Sequence, residues 1–356
     1  MKKLFVTVLV CGLATTALLA QSDTTDASTS FSLDVITRAD YNPAVHIGGL
    51  PRTDVDVFSP NISTRFEGNL GKYFSFELCN HWVALPINAL YKNTGRADEN
   101  DWINTAHIDL NVGPWSIGLG KYFFATGSFE QDTDDWDSHA ILSSTFWNEY
   151  NTFSWGVSTS LQATEQTSFT LQLLKSYYAT WAFKDPLYTY NLQWDGEYGI
   201  WHILASASLT EYERGEYETL LAIGQQWTWK RWQVTLDWLN RSLPADRPFL
   251  DQAMQFQLTG KYAFSDHFDL SLRLGYEFNH NPDESKEVAS IEDCTDGYLV
   301  PWTLLRDRDY WYGGLVFNYY PLQTQDLRIH LAAAKNNYSQ TMPISIGVTY
   351  NWSILK

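Results

Sequence analysis

The chain has 356 residues, and its 24 Lys and Arg against 41 Asp and Glu give a net charge of −17, which excludes a broad nucleic-acid-binding surface. Hydrophobic residues make up 44%, too many for a disordered acidic chain, and three cysteines are too few for a disulfide scaffold. The 16 Trp and 21 Tyr have an apolar body and a polar tip, which suits a boundary between water and an apolar phase.

Residues 1–20 read as a secretory signal peptide. Lys2 and Lys3 give the basic start, Leu4 to Leu19 the apolar stretch, and Ala20 the small residue before cleavage. Cleavage there removes two lysines and no acid, leaving a net charge of −19. Residues 21–29 form a short N-terminal extension. No later stretch reaches about 18 consecutive apolar residues, so no transmembrane helix is expected.

From residue 30 to 356 the pattern is period two. Side chains alternate across a strand, so a strand with one apolar and one polar face shows this spacing. Sixteen segments are expected, the first eight near 31–41, 54–67, 72–85, 101–112, 114–125, 152–163, 168–178 and 188–196. The others lie near 200–211, 218–229, 231–242, 252–264, 268–280, 309–320, 326–336 and 343–354. The last is the plainest, with Ile344, Ile346, Val348, Tyr350, Trp352 and Ile354 opposing Ser345, Gly347, Thr349, Asn351 and Ser353.

Strands of about 9–11 residues suit a tilted crossing of a bilayer. Connections alternate in length, with tight turns such as Gly113-Pro114 and Lys230-Arg231 and longer pieces such as 42–53, 86–100, 126–151 and 281–308. The expected fold is therefore all-β: one transmembrane antiparallel β-barrel of about 16 strands (14–18), with short periplasmic turns and long extracellular loops. Trp82, Trp102, Trp115, Trp155, Trp201, Trp232, Trp238, Trp311 and Trp352 fall on apolar-face positions, most near a strand end, the girdle pattern of a membrane barrel.

Strict alternation predicts the inward residues. The pore-lining candidates are Asp34, Arg38, Arg65, Glu77, His107, Asp109, Arg231, Asp237, Arg241, Lys261, Asp269, Arg273, Glu277 and Arg328. Charges of both signs inside a barrel imply water, because unpaired buried charge is costly. Sixteen strands leave an aqueous channel. Glu130, Asp132, Asp134, Asp135 and Asp137 in the 126–151 loop are candidates for a constriction that favours cations, or for a solvated acidic surface loop. The Asp132 and Asp134 spacing starts like a calcium loop, but Asp137 and Ser143 stand where Gly and Glu are required, so no metal site is expected. His107 and Asp109 share a face and could serve as base and orienter, yet no nucleophile motif accompanies them, and no enzyme is expected.

The signal peptide, the amphipathic strands, Gly118-Leu119-Gly120-Lys121-Tyr122 and the long loop after it resemble the porin O/P family of Gram-negative outer membranes, often labelled phosphate-selective porins. Trp155-Gly156-Val157 and Phe169-Thr170-Leu171-Gln172 add to the resemblance. It implies a sixteen-stranded pore, usually trimeric, with a narrowed waist. The chain departs from the family's ladder of inward Arg and waist cluster of Lys, so phosphate selectivity is not carried over. It also ends Trp352-Ser353-Ile354-Leu355-Lys356 rather than on an aromatic residue.

The expected function is passive diffusion of small hydrophilic solutes or ions. A closed structural or ligand-binding barrel and a barrel-borne hydrolase are the alternatives. Expected partners are outer-membrane lipid, the solutes, and the barrel-assembly machinery during insertion, with no cofactor and no nucleic acid.

Overall fold

The computed structural model describes residues 29–42, 44–46, 57–83, 103–130, 138–144, 146, 153–179, 186–242, 253–279, 309–337 and 341–355. The proposed signal peptide lies outside them. The strands run β1 (Ser30–Asn42), β2 (Ala44–His46), β3 (Val57–Leu70), β4 (Phe74–Val83), β5 (Ile103–Val112), β6 (Trp115–Phe123), β7 (Phe153–Thr164) and β8 (Thr167–Lys175). They continue with β9 (Tyr188–Tyr198), β10 (Trp201–Glu213), β11 (Glu216–Trp229), β12 (Trp232–Ser242), β13 (Ala253–Ser265), β14 (Phe268–Asn279), β15 (Tyr310–Tyr319), β16 (Leu327–Asn336) and β17 (Thr341–Leu355).

From β3 to β17 consecutive strands pair antiparallel, and β1 pairs with both β3 and β17. The sheet therefore closes on itself. β2 is only three residues long and pairs with Thr341–Pro343 in the register β1 already holds against β17, so sixteen strands span the barrel. A closed ladder leaves no unpaired edge, which is the condition for a sheet to sit in lipid.

Burial follows the alternation with the sense inverted from a water-soluble protein. In β14, Asp269, Ser271, Arg273 and Glu277 are buried, Arg273 to 4% exposure, while Leu272, Leu274 and Tyr276 face out, Leu274 at 47%. Leu119, Leu171, Leu192, Leu315, Ile346 and many others continue this exposed apolar band. A contiguous apolar surface on this scale would not persist in water and marks a lipid-facing wall. Trp115, Trp155, Trp232, Trp311 and Trp352 stand exposed on it, while the Trp82 and Trp102 side chains lie outside the described set. Leu274 lies midway along β14, so Leu274→Lys is expected to lower folding stability in lipid vesicles by about 2–4 kcal/mol. Ser160→Lys, on the inward face of β7, should cost far less in the same urea titration. Equal losses would contradict the assigned faces.

Two predicted elements shift. The segment expected at 54–67 is β3, Val57–Leu70. Gly68 and Asn69 stay in the ladder opposite Phe76 and Ser75, and the turn moves to Gly71-Lys72-Tyr73. Gly68 has no side chain, which lets the Ser30 carbonyl and the Phe31 ring lie over it. The segment expected at 168–178 stops at Lys175, because Ser176 turns inward and its hydroxyl donates to the Glu211 carbonyl at 2.6 Å. Tight turns join β5 to β6, β7 to β8, β9 to β10, β11 to β12 and β13 to β14 at one rim. At the opposite rim β6 and β7 flank the 124–152 connection, of which 124–130, 138–144 and 146 are described.

Candidate functional site

The site is the lumen, and its shape is decided by the chain that leaves β6. Residues 124–130 do not stay at the rim. They run along the inner wall, strand by strand, with backbone groups satisfied by wall side chains. The Ala125 N–H donates to Gln172 Oε1 of β8 (2.9 Å), and its carbonyl accepts from Asn191 Nδ2 of β9 (2.8 Å). The Thr126 carbonyl accepts from Gln193 Nε2 (2.5 Å), and the Gly127 N–H donates to Ser206 Oγ of β10 (2.8 Å). The Phe129 N–H donates to Asp237 Oδ1 of β12 (2.7 Å). Buried backbone polar groups must find partners, and the inward Gln, Asn, Ser and Asp supply them.

Glycines make the fit possible. Gly127 lies so close to the wall that a Cβ there would collide with the Ala222 carbonyl and the backbone of Ala205 and Ser206. On β11, Gly224 leaves the space taken by the Phe129 ring, 2.8 Å from where its Cβ would be.

The returning part of the loop docks too. Glu130 is buried and accepts from the Ser144 N–H and Oγ (both 2.8 Å) and from Gln255 Nε2 of β13 (2.9 Å). Leu142 packs on Val316 of β15 and on Ala332 and Ala334 of β16. Phe124 and Phe146 join Leu220, Ala222 and Leu239 in a second apolar cluster. Beside it, the inturned Tyr177 and Tyr178 meet a buried ion pair of Arg241 and Glu218. Arg241 Nη2 donates to Tyr177 Oη (3.1 Å), Tyr178 Oη (3.0 Å) and Glu218 Oε2 (3.0 Å). Burial, opposed by Arg241 and reinforced by Glu218, pushes the Tyr178 phenol up to about 12, so it stays a donor at neutral pH.

This segment sorts the candidate residues. Asp237, Arg241, Arg273 and Glu277 face inward but are covered or paired, Asp237 to 1% exposure. Lys261 pairs with Asp269 at 3.3 Å, and Asp269 also accepts from Asn318 and Tyr320. Arg328 is buried in a row with Thr349 and Arg38. Arg231 is not on the wall: it sits in the two-residue turn before β12, exposed, and its guanidinium donates to the Phe264 carbonyl. Asp132, Asp134, Asp135 and Asp137 lie outside the described residues.

The wall of β1, β3, β4 and β5 is left open. A cavity of 420 Å³ lies against it, lined by Ser32, Glu67, Glu77, His107 and Asp109 among others. Asp34 and Arg65 are opposite each other one step further along, and Arg65 is exposed. His107 Nδ1 bonds Asp109 Oδ2 (2.8 Å), Tyr122 Oη donates to Asp109 Oδ1 (2.8 Å), and the His107 and Tyr122 rings stack at 4.3 Å. Both Asp109 oxygens are thus engaged. Among the described residues no hydroxyl or thiol hydrogen-bonds to His107, so the base has no nucleophile within its reach.

Sequence reasoning missed the docking patches. Their signal was present: Leu220-Leu221-Ala222-Ile223 and Leu331-Ala332-Ala333-Ala334 are apolar on both faces, where other strands alternate.

No protein-family model and no curated protein matches the chain. Solved structures do. The outer membrane channel DcaP of Acinetobacter baumannii is similar over 93% of this chain and 99% of its own, with a TM-score of 0.60 and 11% identity. A loop-deletion mutant of OmpT, an outer membrane protein of Vibrio cholerae, is similar over 91% of this chain and 99% of its own, at a TM-score of 0.56 and 10% identity. A mutant of Rh. blastica porin is similar over 90% of this chain and 100% of its own, at 0.55 and 12%. At these identities the likeness is one of fold: the closed sixteen-strand barrel of outer-membrane porins and channels.

Proposed function

We propose that the protein is an outer-membrane porin that passes small hydrophilic solutes by diffusion. The observation that carries this reading is the one-sided lumen. A segment lines the wall from β8 to β16, and a polar, partly exposed wall remains open from β1 to β5. The exposed apolar band supports placement in a membrane, and the similarity to solved channels supports the same reading. A barrel built only as a scaffold would have no use for a charged face beside open space, since such a face lowers stability unless hydrated.

Purified protein added to a planar lipid bilayer in KCl is expected to give discrete, ohmic conductance steps. Liposomes carrying it should swell in small sugars and not in large ones. Correctly folded protein that inserts and gives neither result would favour the closed-barrel alternative.

A further inference from the structure

We infer that the open wall makes this channel prefer cations, and that Glu67, Glu77 and Asp109 set the preference; the inference rests on the channel reading above. The residues come together through register. Glu67 of β3 is directly opposite Glu77 of β4, and Glu77 is directly opposite His107 of β5. Directly opposed side chains have Cβ atoms about 4.5–5.5 Å apart, and like charges so placed repel. No Lys or Arg intervenes: the cavity lining holds three carboxylates and neither basic residue. The hydroxyls of Ser32 and Thr105 donate to Glu67 and Glu77, which holds the carboxylates in place without neutralising them.

Arg65 and Arg38 flank this stretch beside Cys79, outside the cavity lining, and the lumen's other basic groups are elsewhere. Arg241 and Arg273 are buried on the far side, Arg241 against Glu218, and Lys261 is paired with Asp269. Arg231 is at the rim, and Arg65 lies opposite Asp34. Burial and pairing thus take Arg241, Arg273 and Lys261 out of the balance, while the acidic stretch stays in contact with the passing solution. Such a stretch attracts mobile cations and repels anions. Among the described residues no three carboxylate, imidazole or thiol groups converge to hold a metal ion. The preference is therefore for hydrated cations in transit, not for a resident one.

Reversal potentials of the full-length channel in a KCl gradient test this. The wild type is expected to favour K⁺ over Cl⁻. Each carboxylate about 6 Å from the ion's path, screened by ~0.1 M salt, raises K⁺ about twofold and lowers Cl⁻ about twofold, roughly three- to fourfold in the ratio. Glu67→Gln with Glu77→Gln should therefore lower it by close to an order of magnitude while conductance persists. Asp109→Asn, a second route should the double variant fold poorly, should lower it by a single such step. A wild-type preference for Cl⁻, or an unchanged ratio in folded variants, would overturn the inference. Absence of any conductance in the wild type would instead overturn the channel reading itself.

Discussion

Gly127→Val is expected to unseat the inserted segment and make the channel flicker. The wall backbone at Ala205, Ser206 and Ala222 occupies the space a side chain at 127 would need. Wall backbone belongs to the closed ladder and does not yield, so the segment must move, and it can move only into the lumen. Two anchors are then lost, Gly127 N–H to Ser206 Oγ and Phe129 N–H to the Asp237 carboxylate. A neutral bond and a charge-assisted one together contribute about 3 kcal/mol, or roughly a hundredfold in the ratio of detached to docked segment. Single-channel records should show a lower open level and frequent closures, with barrel content by circular dichroism unchanged. A quiet channel of wild-type conductance would refute the docking described above.

Arg241→Met should be the more destabilising change. Glu218 is 1% exposed, and its carboxylate is held by Arg241 together with Tyr177 and Tyr178. Removing the guanidinium leaves a buried carboxylate with only phenols as donors, at a cost of about 3–5 kcal/mol. The double variant Arg241→Met, Glu218→Gln should recover most of that loss, since the uncompensated charge is gone. Urea titration of the refolded barrel measures both. If the double variant is as unstable as the single one, the loss comes from packing and not from charge. The turn at Ser176 to Ala179 should become accessible to protease in the single variant alone.

These two sites show what the chain makes legible and what it does not. Strands were readable because alternation is local: β14 and β17 are visible in a dozen residues each. The bounds of β3 are hard to read because Ser59, Pro60 and Asn61 interrupt its apolar alternation and Gly68 has the look of a turn residue. The inserted segment could not be read, because its course depends on Gln172, Asn191, Ser206 and Asp237, which come from four strands and share no pattern in sequence. Alternation puts the candidate inward charges on one face of their strands. Whether they meet water was decided by a loop that docks from elsewhere. Asp237 and Glu77 look equivalent in the alternation, yet one is sealed under Phe129 and the other lines open space.

The seam between β1 and β17 also constrains how the protein is made. Tyr41 pairs with Ile346 and Val35 with Trp352, so the join unites the first and last described strands. At one point it is keyed: Gly347 leaves the notch through which His330 of β16 approaches Asp40 at 3.6 Å. No part of this join can form before the last strand has left the ribosome. Until then both terminal strands present open edges, which invite pairing with other chains. Bringing such distant segments together also carries the largest loop-closure entropy in the molecule. Closure of the barrel thus waits for β17, and until then the growing chain depends on being kept apart from its copies.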